Sequence, residues 1–209
     1  MGFFGMLVPE EYGGIALGTP AFAAVTMELA RGWMSLAGAI GGHSVISAMV
    51  HRFGTEAQRE RLLPHMATGA VRAAMVLTEP DGGSDLQAMR TVAKPVAGGF
   101  SLTGAKTWIS NAQHAGILAT LCKTDPQAEP RHRGISVLLV EPGDGVHVGA
   151  KLPKLGYRGV ESCEVTFDGA FVPEDAVLGG PAGEGWGQMM AGLEVGRIQV
   201  AARAVGVAQ

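Results

Sequence analysis

The chain has 209 residues, a formal charge of −3 and six histidines, so no basic excess points to nucleic acid. Its length allows one large domain or two small ones with a real core. Charged residues make up 17%, below the roughly 25% of typical domains, and apolar residues 47%, which predicts surface covered by further subunits or further sequence. The 32 glycines are dispersed, which indicates many turns rather than low complexity. Cys122 and Cys163 lie far apart with no CxxC spacing. A reduced, cytoplasmic protein is the expectation.

The start, "MGFFGMLVPEEYGG", lacks a basic n-region and a cleavage site, so no signal peptide is expected. Polar residues interrupt the apolar stretches, so no membrane span is expected either. "GTPAFAAVTMELARGW" predicts a helix with Thr19 as N-cap and Pro20 at the first helical position. "MSLAGAIGGHSVISAMVHRFG" predicts a second, more apolar helix closing at Gly54. A third opens with Thr55 and Gln58 as a capping box, and Pro64 should kink or end it.

The pattern changes near Val71. "RAAMVLTE", "FSLTGAKTWIS", "GILATLCK", "GISVLLVE", "GVHVGA" and "CEVTFDGAFV" are short strand-like runs separated by turn residues. Such spacing predicts an antiparallel sandwich or barrel. From Gly185 the spacing is helical again, still so at Gln209, and apolar round much of the helix. A helix of that kind needs partners, and the chain is expected to be a fragment that stops inside an element of structure.

One loop, "VLTEPDGGSDLQ", gathers Glu79, Asp81 and Asp85 around Gly82 and Gly83. An EF-hand needs a Glu at the twelfth position, and counting from Glu79 that residue is Arg90. A P-loop needs Lys after the second glycine, where Ser84 stands. Ser84 and Gln87 form a second capping-box pattern, so a short helix is expected. Two readings stay open on the residues alone: a phosphate cradle of backbone N–H groups, or a capped turn. In "KTWISNA", Trp108 is either core or a flat wall for a planar ligand, with Ser110 as a neighbouring hydroxyl. The histidines show no H-x-x-x-H or Cys/His cluster, so no metal site is expected. Glu10 and Glu11 suit a solvated turn better than an acid/base pair.

At these two motifs the sequence resembles the acyl-CoA dehydrogenase family. "LTEPDGGSD" is similar to its flavin loop and "GFSLTGAKTWISNA" to the hairpin that follows. "LVPEEYGG" and "KLGYRGVESCEVTFDGAFVPEDAVLG" agree as well, so four stretches stand in register along the whole chain. The resemblance implies an α+β multidomain fold: an incomplete N-terminal helical domain (1–72), an antiparallel β-barrel or sandwich middle domain (73–180), and the first helix of a truncated C-terminal four-helix bundle (181–209). It implies FAD as cofactor, oxidation of an acyl-CoA thioester to the 2-enoyl-CoA, an electron-transferring flavoprotein as acceptor, and a homotetramer.

By motif, Met75, Leu77, Thr78, Gly83, Ser84, Trp108, Ile109 and Ser110 would face the flavin. Ser84, Glu194, Val195, Gly196 and Arg197 would face acyl-CoA. Arg197 could equally be a buried ion-pair partner. Met75 stands where an aromatic residue is frequent, and Gly82 where Ala is usual. The resemblance puts the catalytic Glu beyond Gln209, or in some branches at the position held here by Gly196. Glu194 is about 200° round the helix from that position. The fragment alone is therefore expected to be inactive. A flavin-dependent oxidase or monooxygenase on the same scaffold, or a non-catalytic β-sandwich interaction module, are the alternatives.

Overall fold

The computed structural model describes residues 2–209. Helix α1 (Thr19–Phe53) is broken at Trp33, whose φ of −164° and ψ of 111° are not helical, so the two expected helices meet end to end. Gly18, not Thr19, is the N-cap; Thr19 is already inside the first turn with Pro20. By length and composition α1 could cross a membrane, but 67% of its most apolar window is buried within the protein. It is apolar because it is a core helix. Helix α2 (Glu56–Thr68) carries the expected box: the Gln58 N–H donates to the Thr55 hydroxyl at 3.2 Å, and the Thr55 N–H to Gln58 Oε1 at 3.1 Å. Pro64 does not end it. The helix runs four residues further, to Thr68, and Gly69 closes it in the left-handed conformation.

Seven strands follow: β1 (Ala73–Val76), β2 (Val92–Val96), β3 (Gly99–Ser110), β4 (Ile117–Lys123), β5 (Ile135–Val140), β6 (Val146–Lys151) and β7 (Ser162–Pro173). They form one curled sheet, in the order β1-β4-β2-β3-β7-β6, with β5 on the other edge of β4. Most pairings are antiparallel, as the short spacings require. The exceptions are both on β4: β1 runs parallel to it from Ala73/Ile117 to Val76/Thr120, and β2 is parallel to it at a single pair. The intervening chain, with its hairpin, is long enough for the crossover that parallel strands demand. Where β1 ends, β2 takes up the same edge of β4 through the Val92/Lys123 pair.

Helix α3 (Gly185–Ala208) lies against α1, and side-chain size sets the approach. A Cβ on Gly192 would stand 2.3 Å from Met49 Sδ, one on Gly41 2.9 Å from the Gln199 amide, and one on Gly206 2.2 Å from the Met27 carbonyl oxygen. Gln199 is buried and donates to the Ala37 carbonyl at 3.0 Å. One apolar cluster joins α1 and α2 to β1, β4, β5 and α3 through Ile46, Leu63, Ile117, Leu139 and Met189. A second fills the inside of the sheet around Leu102, Ile109, Val165 and Phe167. His43 ties the helical layer to the sheet. Its Nδ1 accepts the Ala73 N–H at 3.2 Å, which leaves Nε2–H to donate to the Met66 carbonyl at 3.0 Å. Burial pushes this imidazole down to about 4, so it is neutral at neutral pH.

Candidate active site

Strand β3 carries the feature that opens the site. Lys106 pairs with Val165 and Ile109 with Cys163, so β3 holds one residue more than β7 between these points. This is a β-bulge. It places Lys106 and Ile109, three apart, both on the inner face, where each is buried. Trp108 absorbs the extra residue with a φ of 59°, a left-handed conformation that costs an ordinary residue roughly 1–2 kcal/mol. Its indole is 55% exposed, so the core role open to a strand Trp is not the one it takes. Trp108 and Ser110 both turn outward into a cleft.

That cleft has a volume of about 620 Å³, within the range of small-molecule sites. Its walls are the middle of α1, the outer side of β1 and β3, the β6–β7 loop and one face of α3. Gly38, Gly41, Gly42 and Val45 form the α1 wall, and Met75, Trp108 and Ser110 the sheet wall. On α3, Leu193, Gly196, Arg197, Val200 and Ala204 recur at helical spacing along the opposite wall. A Cβ at Gly42 would meet nothing within 4 Å, and one at Gly196 only a Val45 methyl at 3.6 Å, so these positions keep the cleft wide rather than the helices close. None of the described residues lining the cleft is a carboxylic acid.

The structure brings five of the expected residues together here: Met75, Trp108, Ser110, Gly196 and Arg197. Arg197 is exposed at the cleft and is in no ion pair among the described residues, so it is not a buried structural partner. Other residues stand elsewhere. The Ile109 side chain belongs to the inner core of the sheet, because the bulge turns it inward. Leu77 packs on the helix–sheet core and so does Val195. Glu194 is exposed and not among the cleft residues, as its angle from Gly196 requires. Thr78 lies beside the cleft, its carbonyl accepting the Thr107 N–H at 2.9 Å. Gly83 and Ser84 are exposed in the loop beyond it.

That loop is not organised as the sequence suggests. No capping box forms at Ser84. Asp85 is the cap instead, accepting the Gln87 N–H at 3.2 Å, and the helix is a single 3-10 turn, Leu86–Ala88. The three acidic residues each have a structural partner. Asp81 pairs with Arg90 at 2.8 Å on the surface. Glu79 is buried: Oε1 accepts the Thr91 hydroxyl at 2.6 Å and the Thr91 N–H at 2.9 Å, and Oε2 the Arg90 N–H at 2.6 Å. Lys106, with no exposed surface, meets Glu79 at 3.0 Å and donates to the Leu77 carbonyl at 2.9 Å. Burial alone would raise the Glu79 carboxyl, but Thr91, the Arg90 N–H and the Lys106 ammonium outweigh it and hold it below its ordinary value. Burial lowers the Lys106 ammonium, opposed by Glu79. The ion pair is thus a brace. It fixes Leu77 and Thr78 against the strand that carries Trp108.

Three lining elements escaped sequence reasoning. Gly41-Gly42 is one, although paired glycines inside a helix cost about 1 kcal/mol each relative to Ala and so mark a reason to be there. Tyr157 is the second, in the β6–β7 loop with a φ of 57°. Arg203 is the third, one of two arginines on the largely apolar α3. The Arg203 guanidinium donates to the Tyr157 hydroxyl, and lies 4.9 Å from that ring's centre, with the Lys154 ammonium 4.8 Å from it. Burial raises the Tyr157 phenol above its ordinary value, against the pull of Arg203, so it is a neutral hydroxyl. Cys122 takes no part: burial pushes its thiol up to about 12.

Comparison with known proteins agrees with this architecture. Residues 1–70 match the model described as "Acyl-CoA dehydrogenase, N-terminal domain" and residues 74–170 "Acyl-CoA dehydrogenase, middle domain". The chain is 38% identical to (2S)-methylsuccinyl-CoA dehydrogenase of Cereibacter sphaeroides, with 100% of this chain and 40% of that protein covered. Against an acyl-CoA dehydrogenase crystal structure from Geobacillus kaustophilus it has 38% identity and a TM-score of 0.91, covering 97% of this chain and 53% of the other. Against an acyl-CoA dehydrogenase complexed with FAD from Bacillus anthracis the values are 32% and 0.90, covering 99% and 35%. The chain spans about half the length of the curated relatives it matches. Members of this family are FAD-dependent flavoproteins. With its helical layer, its curled sheet and the outward-turned Trp108 above a glycine-lined cleft, the chain belongs to the acyl-CoA dehydrogenase family.

Proposed function

We propose that the protein containing this chain is an FAD-dependent dehydrogenase that converts acyl-CoA thioesters to 2-enoyl-CoA. The observation that carries the reading is Trp108, held in a left-handed bulge with its indole facing an apolar cleft beside the Ser110 hydroxyl. A planar cofactor fits such a wall, and the residues present suit a flavin. The aromatic face offers stacking area, and Ser110, 3.3 Å from the Ser162 hydroxyl, has hydrogen-bonding capacity left for a ring nitrogen. Thr78, Gly83 and Ser84 continue that wall toward the rest of the cofactor, with Leu77 and Ile109 through their backbones only. The flavin supplies hydride acceptance when bound.

This chain's own residues do the rest of their share by position. The apolar walls keep water from the thioester and strengthen every donor inside. Arg197 and the open Gly196 border the reacting end, with Glu194 and Val195 immediately before them on the same helix. A thioester α-proton is a weak acid and needs a positioned carboxylate. With none among the described residues that line the cleft, the base is taken to come from outside this chain. Ile198 and Val205 leave exposed apolar residues on one face of α3 and Val200 and Val207 on the opposite one, which suits further helices of a bundle. The domain limits 1–72, 73–180 and 181–209, an electron-transferring flavoprotein as acceptor, a homotetramer and the cytoplasm belong to the same reading. Free, buried Cys122 and Cys163 support a reducing compartment.

Replacing Trp108 with Ala tests the wall. The exposed indole contributes little to the core, so the fold should survive while FAD affinity drops by at least about tenfold, the order of one lost aromatic stack. Equilibrium dialysis of the holoprotein against FAD reads this directly. Unchanged affinity would remove Trp108 from the cofactor site.

A further inference from the structure

The cleft carries positive charge that its own lining does not neutralise. Arg197 and Arg203 both face it, none of the described lining residues is Asp or Glu, and neither arginine is in an ion pair among the described residues. The rest of the lining is glycine, aliphatic and aromatic apart from the uncharged Ser110 and Gln199. Guanidinium groups without an anion in such surroundings are a specific invitation, since Arg presents a planar fork matched to a carboxylate.

The two arginines do different work. Arg203 Cα stands about 9 Å further along α3 than Arg197 Cα, from a rise of 1.5 Å per residue. Arg203 is also held. Its guanidinium spends one of five N–H donors on the Tyr157 hydroxyl. It lies against the Tyr157 ring, and the ring is wedged so closely on α1 that a Cβ at Gly38 would overlap its hydroxyl at 1.4 Å. A side chain fixed in this way loses little freedom when an anion arrives. Tyr157 itself adopts a left-handed φ, the strain of a residue kept in place by its surroundings.

We propose that the cleft selects acyl groups that end in a second carboxylate, and that Arg203, oriented by Tyr157, is the receptor for it. This rests on the dehydrogenase reading above and deepens it: the substrates are CoA thioesters of short dicarboxylic acids, with the thioester toward Arg197 and the free carboxylate toward Arg203. A monocarboxylic acyl chain of equal length would leave Arg203 desolvated and unpaired, which is the larger part of the discrimination.

The test is a comparison of kcat/KM in the holoenzyme for glutaryl-CoA and methylsuccinyl-CoA against butyryl-CoA and isovaleryl-CoA. The wild-type protein should favour the dicarboxylic pair by at least about tenfold, the scale of one charged hydrogen-bonded contact. In Arg203→Gln that ratio should fall by a similar factor, and Arg203→Lys should restore part of it. The dissociation constants, read from the shift in flavin absorbance on mixing, should follow the same ratio. A wild-type preference for the monocarboxylic pair overturns the proposal without any variant. So does equal weakening of both classes in Arg203→Gln, because all four thioesters share the CoA phosphates, and Arg203 would then be a phosphate or structural group. If no thioester of either class binds or bleaches the flavin, the dehydrogenase reading falls, and this one with it.

Discussion

Glu79 shows how a residue can be singled out for its charge and matter for a different reason. Its carboxylate accepts from Thr91 and Arg90 and pairs with the buried Lys106. Removing one partner of a buried pair leaves the other unsatisfied, at a cost of about 3–5 kcal/mol. Lys106→Met should therefore lower the unfolding free energy by about 3 kcal/mol in urea, and the double variant Glu79→Gln/Lys106→Met should recover part of that loss. A single variant as stable as wild type would show the brace to be incidental. The pairing was not legible in the sequence, because Lys106 reads as one more polar residue in an alternating strand. Alternation from Leu102 puts it on the inner face, but its partner Glu79 lies in a loop 27 residues earlier. Trp108 was half legible: the residue was marked, but its outward direction depends on the residue inserted at the bulge.

At the scale of elements, contact between α1 and α3 depends on positions without side chains. Gly206→Ala would drive a methyl to 2.2 Å from the Met27 carbonyl oxygen. The helices must separate or the backbone shift, which costs about 1–3 kcal/mol as overpacking, and a thermal melt of the variant should show an earlier midpoint. An unchanged midpoint would mean the two helices slide freely. His43 joins the same layer to β1 and gives it a pH dependence. The fold disfavours the charged imidazole, which titrates at about 4 here and near 6.5 when unfolded. Between those values the unfolded chain binds the extra proton. Stability is therefore full above about pH 6.5 and falls by up to about 3 kcal/mol as pH drops to 4. Unfolding free energies measured across pH 4–7 should show that slope, flattened in His43→Gln; equal slopes would place the titration elsewhere. Most elements were readable in advance from periodicity and caps, with α2 and its capping box the clearest case. What was not readable came from tertiary pairing. The parallel β1–β4 contact joins distant segments, and Asp85 displaces Ser84 as cap because the loop is pinned by Glu79 rather than by its own turn residues.

In the whole molecule, two layers of different character, helical and β, close on one apolar cleft, and the sequence carries its walls in separate places. The loop from Met75 to Ser84 and the strand at Trp108 were recognisable as motifs. The α1 glycines, Tyr157 and Arg203 become part of the site only when the helices pack, since 165 positions separate Gly38 from Arg203. The central claim is that this cleft serves flavin-dependent oxidation of an acyl-CoA. The most direct measurement is anaerobic titration of the FAD-loaded whole protein with acyl-CoA thioesters, following flavin absorbance and the thioester product together. The account predicts bleaching of the oxidised flavin band with one 2-enoyl-CoA formed per flavin reduced. A protein that binds FAD yet keeps its oxidised spectrum with every thioester, mono- or dicarboxylic, would contradict it.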